Sequence, residues 1–467
     1  MASGRRLGLR DYPIMGFLGI LVFLLIGFLL SSNRKAIHWR TIVWGVVLQW
    51  LFAFVVLKGA WIQQALSFLP FPQGTAWVVA GAMFVPLLLR RFTGFQHAAL
   101  DFGILCVVFT GLLRGNLVGA AFDQMRLVVQ GLMQYAAKGS SFVFGSLADP
   151  ASGYFAFSVL PVIIFVASIF AVLYHAGVME KIVETTARGI GRFLKVSGAE
   201  SVSVAASILM GQTEAPLTIR PFLSALTQSE LMVIMTAGMA HVSGSIMVAY
   251  VQMAHVDIVH LLTAVIMTAP GAIVMAKLIV PETDSPKTAG SLRVKVESQD
   301  ANFLDAAARG AFEGGQLAFN VGVMLVAFIG LVTLLNGMLN SVFSGLSLEG
   351  ILGALFKPFA ILMGVSTADA GIIGSLLGKR MVLNEFVAFG DLGRLPADAI
   401  SEHSRTIATF ALCGFANFSS IAVQLGGIGA LIPERRGDLA RLGLRAMVAG
   451  TLANFLSACI AGILDAL

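Results

Sequence analysis

Long apolar stretches separated by short polar connections make up most of this chain. A helix needs about 20 apolar residues to cross a bilayer. Runs of roughly this length or longer, without Asp, Glu, Lys or Arg, lie at Tyr12–Leu30, Leu231–Ala254, Gly314–Asn340, Thr406–Pro433 and Ala446–Leu464. The pattern predicts an all-α polytopic membrane protein.

The first third of the chain adds further predicted elements. Spans are predicted at 41–57 and 154–175, and two less regular ones at 74–89 and 97–113. Residues 118–137 have the polar and apolar faces of an amphipathic helix that lies along the membrane interface.

Two apolar stretches are broken by polar residues before they are long enough to cross. The first, Ser201–Thr213, breaks at the motif GQTEAP and resumes to Leu226. The second, Gly371–Gly390, contains Lys379, Arg380, Asn384 and Glu385. We predict a re-entrant helical hairpin at each break, at about residues 197–226 and 357–392, because interrupted segments of this kind line the binding sites of transporters.

Each predicted hairpin is followed by a span rich in small and polar residues. These spans are Met235–Tyr250 and Leu412–Gly427, and a plainer apolar span follows each of them. Threading the chain through the bilayer brings the two hairpins in from opposite sides. The order therefore predicts an inverted repeat, which is typical of secondary transporters.

One acidic residue lies in each predicted hairpin. Glu214 and Glu385 are both expected at membrane depth, where a carboxylate is costly and usually faces a cavity or an ion pathway. The alternative is a structural role, in which each acid lies at the interface or pairs with a base such as Arg220 or Arg380. Their matching positions in the repeat favour a functional role.

Uncharged polar residues surround these acids. The set comprises Gln212, Thr213, Asn384, Asn417, Ser419 and Ser420. Such residues also hydrogen-bond helices to each other in membranes. Together with two carboxylates they predict a site for an uncharged solute rich in hydrogen-bonding groups. Phe415 and Phe418 could stack on a planar ring of that solute, or simply pack.

Composition and charge agree with a membrane location. The chain has 467 residues, of which 57% are hydrophobic and only 12% are charged, and its net charge is +6. The basic residues after the first span concentrate in connections on one side of the threaded membrane. This bias predicts that both termini lie outside, although Arg5, Arg6 and Arg10 favour the opposite orientation. The charge therefore does not predict nucleic-acid binding.

Enzyme and metal functions lack support in the sequence. No HExxH or GxSxG motif is present, and Cys106, Cys413 and Cys459 lie inside apolar runs without metal-binding spacing. We therefore predict no enzyme activity, no metal and no cofactor. The open alternatives are a transporter, a channel or receptor that binds the same solute without accumulating it, and, more distantly, a membrane hydrolase.

The motifs GQTEAPL (Gly211–Leu217), LNEFVAF (Leu383–Phe389) and GFANFSS (Gly414–Ser420) resemble those of the concentrative nucleoside transporter family, in its bacterial nucleoside-permease branch. The resemblance extends over about residues 12–60 and 115–467. It implies about eight to ten membrane helices with two hairpins, divided into a scaffold and a mobile transport domain that moves like an elevator. It also implies a homotrimer in a bacterial inner membrane that imports nucleosides.

The resemblance also assigns roles to residues of this chain. Gln212, Thr213 and Glu214 would contact the nucleobase. Glu385, Asn417 and Ser420 would hold the ribose. Phe415 would border the nucleoside, and Leu317 would offer an apolar contact.

Two features depart from the family pattern. Sodium-coupled members have an Asn where this chain has Ser207, and His241 replaces a hydroxyl residue on the following helix. A hard cation prefers several oxygen ligands, so we predict proton coupling, with Glu214 or Glu385 as the carrier and His241 as a further candidate. Sodium coupling stays the alternative.

Residues 61–114 are interpreted as an inserted hairpin within an N-terminal region, 1–137, that precedes the core, 138–467.

Overall fold

The computed structural model describes residues 11–59, 61, 117–149, 154–288 and 300–467. Every regular element in these residues is a helix. In chain order the main elements are α1 (Asp11–Leu29), α2 (Trp39–Leu57), α3 (Leu117–Phe144), a single α-helical turn (Phe155–Ser158), α4 (Leu160–His175), α5 (Val178–Leu194), α6 (Gly198–Ser207), a 3-10 segment (Ala215–Ala225), α7 (Gln228–Ala240), α8 (Gly244–Ala254), α9 (Ile258–Ile279), α10 (Phe303–Val342), α11 (Leu348–Leu362), α12 (Ala370–Val382), α13 (Glu385–Arg394), α14 (Glu402–Leu412), α15 (Phe418–Leu431) and α16 (Arg436–Ala466). Short 3-10 helices at Arg34–Ala36, Gly145–Ala148 and Pro433–Arg435 lie in the connections.

The prediction of an all-α polytopic membrane protein is confirmed. Within the described residues, seven helical stretches are long and apolar enough to cross a membrane. The spans predicted at 41–57 and 154–175 correspond to α2 and to Phe155–His175, and 118–137 lies inside α3. The predicted spans 74–89 and 97–113, and nearly all of the proposed insertion 61–114, lie outside the described residues.

Two of the apolar runs that are long enough to cross, Leu231–Ala254 and Thr406–Pro433, are interrupted rather than continuous helices. The first stretch divides into α7 and α8, which meet at His241–Ser243, and the second divides into α14 and α15. At the first break His241 is extended, with φ −101° and ψ 164°. Hydropathy alone does not reveal these breaks, because most of the residues at both of them are small or apolar.

Each predicted hairpin region contains two short helical arms. In the first, α6 and the 3-10 segment are joined by residues 208–214, and Pro221 and the non-helical Ile219 interrupt the second arm. In the second, α12 and α13 meet at Leu383–Asn384. The predicted range 357–392 also included the end of α11, which is a separate helix. The depth of both hairpins in the membrane stays a prediction.

The base of the first hairpin is held by a buried ion cluster. Glu200 closes a capping box at the start of α6, and Glu230 closes another at the start of α7. Lys277, near the end of α9, lies 2.5 Å from Glu200 Oε1 and 3.3 Å from Glu282 Oε2. Because a buried charge is tolerated when it is paired, this lysine fixes the first arm of the hairpin to α9.

The helices divide into an outer pair and an inner group. Gly310 and Gly314 of α10 lie against Ala171 and Ala167 of α4, so these two helices approach closely. Only 12% of the span in α10 is buried, whereas 94% of the span in α16 is buried. The helix α16 therefore forms the centre of the inner group, against which α1, α7, α9 and α14 pack, while α10 lies outside.

Helix α5 is an element that the sequence analysis did not predict. Its buried residues, Met179, Val183, Ala187, Ile190 and Leu194, recur every three or four positions and form one face. The opposite face carries the ion pair between Glu184 and Arg188, at 2.5 Å. This amphipathic helix packs on α2, α4 and α6, close to the base of the first hairpin.

Candidate substrate-binding site

The tip of the first hairpin presents Glu214 at the end of a tight turn. The main-chain N–H of Glu214 donates to the carbonyl of Gly211 at 3.1 Å, and the N–H of Gly211 donates to Glu214 Oε2 at 3.2 Å. Pro216 in the first turn of the following 3-10 segment cannot continue the hydrogen-bond ladder of α6. The carboxylate therefore accepts a hydrogen bond from its own turn.

Gln212 connects this tip to helix α15. Its Nε2 donates to the hydroxyl of Ser420 at 3.2 Å. Its side-chain carbonyl oxygen is buried and has no hydrogen-bond partner within the described residues, and the same is true of Gln424 Oε1. Buried acceptors without partners are rare in proteins, so these two oxygens are available to a donor from a bound solute or water.

Thr213 packs against the middle of α15. A Cβ added to Gly427 would lie 2.5 Å from Thr213 Cγ2, so the hairpin tip touches that helix directly. Glycine at 427 allows this close approach. Of the three tip residues predicted to act together, Gln212 and Thr213 therefore contact α15, whereas the Glu214 carboxylate accepts from Gly211 in its own turn.

The tip of the second hairpin holds Glu385 in a fixed orientation. Asn384 caps α13 by accepting from the N–H of Val387 at 2.9 Å. Glu385 follows it and is 5% exposed. The hydroxyl of Tyr250 donates to Glu385 Oε1 at 3.0 Å, and Nδ2 of Asn417 donates to Oε2 at 3.0 Å.

Asn417 joins this carboxylate to the start of α15. It caps that helix, because its Oδ1 accepts from the N–H of Ser420 at 2.9 Å and from the hydroxyl of Ser419 at 2.7 Å. Phe415, at the preceding break, is buried, whereas Phe418 is 51% exposed. An exposed ring beside polar groups suits a planar ligand better than the buried one does.

The structure thus brings most of the predicted binding residues together. Both hairpin tips meet at the start of α15, which links Gln212 through Ser420 and Asn417 to Glu385. Leu317 is separate from this network of polar contacts. It is half-buried on the outer helix α10 and packs against the main apolar core.

Two predicted coupling residues lie at helix ends. Ser207 ends α6, is 1% exposed and donates from its hydroxyl to the carbonyl of Ser203 at 2.9 Å. His241 follows α7, is also 1% exposed, and places its Nδ1 2.8 Å from the carbonyl oxygen of Ala237. Each side chain therefore has a main-chain partner in its own helix.

Arg380 is a structural residue rather than the partner of Glu385. Its guanidinium donates to the carbonyls of Gly414 at 3.1 Å and Ala411 at 2.9 Å, and also to Asn454. A cation at the C-terminal end of α14 is favourable because unpaired carbonyls converge there. Arg380 and Glu385 therefore interact electrostatically, but they form no direct ion pair within the described residues.

The sequence analysis missed Tyr250 and Gln424. Tyr250 was the last residue of the predicted small-residue span and the only tyrosine in it. A tyrosine in an apolar bundle usually needs a partner for its hydroxyl, which was a usable signal. Gln424 donates to the carbonyl of Met235 at 3.0 Å, and nothing in the sequence pointed to that contact.

Two interrupted helical segments whose polar tips meet at a helix break are typical of secondary transporters. Comparisons with known families agree. Residues 18–72 and 260–462 match the models described as the N-terminus and the C-terminus of Na+ dependent nucleoside transporters, and residues 156–256 match a model described as nucleoside recognition.

Whole-length relatives point to the same group. An uncharacterized transporter of Haemophilus influenzae is 39% identical, covering 96% of this chain and 97% of its own. The nucleoside permease NupC of Helicobacter pylori is 36% identical over similar coverage, 96% and 97%. Human solute carrier family 28 member 3 is 34% identical and aligns with 98% of this chain but 60% of its own length.

The fold matches a solved structure of the transporter CNTnw in an inward-facing substrate-bound state. The TM-score is 0.80 and the identity 36%, with 98% of this chain and 99% of the other covered. The chain therefore belongs to the concentrative nucleoside transporter family. Since its relatives are transporters, the prediction that it is not an enzyme is confirmed.

Proposed function

We propose that this protein imports nucleosides by proton symport, with an elevator-type movement. The observation that best supports nucleoside binding is the polar network across both hairpin tips, which joins Gln212, Ser420, Asn417 and Glu385. Amides and a carboxylate at helix ends suit the hydroxyls and ring nitrogens of a nucleoside. On this proposal Gln212, Thr213 and Glu214 contact the nucleobase, Glu385, Asn417 and Ser420 contact the ribose, and Phe415 and Leu317 border the solute.

The proposed proton coupling rests on Ser207 and His241. The short Ser207 hydroxyl already donates to its own helix, and the ring of His241 is hydrogen-bonded to Ala237. A sodium ion prefers several oxygen ligands, for which an imidazole is a poor substitute. In this account Glu214 or Glu385 carries the proton. Sodium is the alternative coupling ion, because two of the matching family models are described as those of Na+ dependent nucleoside transporters.

The elevator movement is supported by the division into an outer pair and an inner group. Helix α8 packs on α4 of the outer pair, and Gln252 Nε2 of α8 donates to the carbonyl of Ser158, in the helical turn before α4, at 3.0 Å. A Ser158→Cys and Gln252→Cys pair, joined by a short bifunctional thiol reagent, is expected to stop transport until the bridge is cleaved. Each single-cysteine variant is the control. Full transport by the bridged protein contradicts the sliding of one group past the other.

We also propose a homotrimer in a bacterial inner membrane, with both termini on the periplasmic side. Large apolar side chains on α10, such as Phe312 and Val326, are 81% and 79% exposed and can face lipid or another subunit. Light scattering of the detergent-solubilised protein tests the trimer. Labelling of single cysteines at each terminus in intact cells tests the orientation.

Accumulation of radiolabelled uridine in proteoliposomes tests transport itself. A symporter raises internal uridine above the external concentration when a cation gradient is imposed. A channel or receptor without coupling brings it at most to equality. Chromatography of the recovered label distinguishes transport from hydrolysis, because a symporter returns unchanged uridine.

A further inference from the structure

Tyr250 is a buried residue whose hydroxyl reaches into the candidate site. It lies on α8, in the first repeat, and is fully buried. Its ring stacks on Phe389, with centroids 4.5 Å apart and an angle of 19°, and meets Phe386 edge-on at 5.0 Å. Both phenylalanines belong to α13, so the tyrosine is clamped against the second hairpin.

The clamped ring aims its hydroxyl at one oxygen of Glu385. That O–H donates to Oε1 at 3.0 Å, while Asn417 Nδ2 donates to Oε2 at 3.0 Å. One donor on each oxygen prevents rotation of the carboxylate plane. An ionised carboxylate has about four acceptor positions. Main-chain and side-chain donors take up most of them, so they restrict the directions in which the carboxylate can accept from a solute.

Arg380 donates no hydrogen bond to the Glu385 carboxylate within the described residues. Its guanidinium donates instead to Ala411, Gly414 and Asn454. Tyr250 and Asn417 are therefore the side chains, within the described residues, that donate hydrogen bonds to Glu385. Of these two, Asn417 also caps α15, whereas the hydroxyl of Tyr250 donates to the carboxylate.

We propose that Tyr250 is a positioning residue that orients the Glu385 carboxylate toward the ribose hydroxyls and thereby sets the preference for ribonucleosides over analogues without those hydroxyls. This inference rests on the proposed function. Without the tyrosine hydroxyl, the carboxylate is held by Asn417 alone and can turn away from the ribose. The nucleobase contacts proposed above lie at the other hairpin tip, and the Tyr250 hydroxyl donates to Glu385 rather than to that tip.

The test is transport kinetics of Tyr250→Phe, which keeps the stacked ring and removes only the hydroxyl. The KM for uridine is expected to rise about tenfold, the effect of losing one hydrogen bond to a charged group, with Vmax unchanged. The inhibition constant of 2′,3′-dideoxyuridine is expected to stay the same. Tyr135→Phe, whose side chain is 61% exposed on α3, is the control and should match the wild type.

Two results overturn this role. Unchanged KM values for uridine show that the hydroxyl does not orient Glu385. Equal weakening of uridine and dideoxyuridine shows that Tyr250 acts through packing alone. Wild-type protein that accumulates no uridine under either cation gradient contradicts the proposed function itself, which separates that failure from a failure of the role of Tyr250.

Discussion

Arg380 of the second hairpin and Asn454 of the central helix α16 are joined by a buried hydrogen bond from the guanidinium to the amide oxygen. The amide nitrogen of Asn454 donates in turn to the carbonyls of Ala240, at 2.9 Å, and Cys413, at 3.0 Å. These carbonyls lie at the breaks of the two discontinuous helices. One asparagine therefore satisfies main-chain groups that both breaks release inside the membrane.

Replacing Asn454 by Ala is expected to destabilise the protein strongly. The change leaves part of the Arg380 guanidinium and two main-chain carbonyls without partners, and each buried group of this kind costs about 1–3 kcal/mol. The measurement is the melting temperature of the detergent-solubilised protein.

The control for Asn454→Ala is Thr451→Val on the same helix. The buried Thr451 hydroxyl has no partner within the described residues, so its removal should change stability little. Equal melting temperatures for Asn454→Ala and the control would show that the asparagine is dispensable for joining the helix breaks.

Glu385→Gln is expected to reduce nucleoside accumulation by roughly 100-fold. Glutamine keeps the shape of the side chain but places an N–H₂ group against one of the donors, Tyr250 or Asn417. It also removes the negative charge that would accept from the ribose hydroxyls or bind a proton. Uptake of radiolabelled uridine measures the effect. Glu402→Gln, at the exposed start of α14, is the control. Accumulation by Glu385→Gln at the wild-type level would place Glu385 outside the transport site.

The ion preference is expected to change only when two positions change together. Ser207→Asn alone supplies one amide oxygen, but His241 still occupies the second position, so sodium should have little effect. Ser207→Asn with His241→Ser adds two oxygen ligands and should make uridine uptake rise with sodium at constant pH. The control is Ser203→Asn with His241→Ser, one helical turn earlier. Strong sodium stimulation of uridine uptake by the wild type would contradict the proposal that Ser207 and His241 prevent sodium coupling.

Asp369 predicts a pH dependence of stability. Partial burial opposes its ionisation, but hydrogen bonds from Ser404, at 2.7 Å, and Ser401, at 3.0 Å, prevail and lower the pKa of Asp369 below its usual value. A lowered pKa in the folded state stabilises the protein above the unfolded pKa of about 3.9. That stability is lost as the pH falls through the lower folded value.

Melting temperatures recorded between about pH 6 and pH 2 test this contribution. Asp369→Asn should be less stable than the wild type at the upper end, and the difference should shrink toward the lower end. Asp123→Asn, whose side chain is 67% exposed, serves as the control. A difference between Asp369→Asn and the wild type that stays constant with pH would assign the effect to packing.

Patterns of hydropathy and of polar interruptions predicted much of the fold. They predicted the membrane class, most of the spans in the described residues and both positions at which polar residues interrupt an apolar stretch. The reason is that a bilayer allows few alternatives to a long apolar helix, so an acid such as Glu214 within a short run is informative. Motif resemblance then supplied the family, which the comparisons confirm.

Contacts between distant segments could not be predicted in this way. The breaks at His241 and Gly414 contain residues that are also common inside membrane helices. The Tyr250–Glu385 hydrogen bond joins residues 135 positions apart, and the Arg380–Asn454 bond joins residues 74 positions apart. Only the folded arrangement decides whether Arg380 pairs with Glu385 or with helix carbonyls. The roles of the site residues in binding remain predictions.

Uridine accumulation driven separately by a proton gradient and by a sodium gradient is the most direct test of the proposed coupling. Proteoliposomes receive an inward proton gradient without sodium, or an inward sodium gradient at equal pH on both sides. We expect the proton gradient alone to raise internal uridine above the external concentration and the sodium gradient alone to have no such effect. Accumulation that requires sodium and proceeds without a proton gradient would contradict proton coupling by this nucleoside transporter.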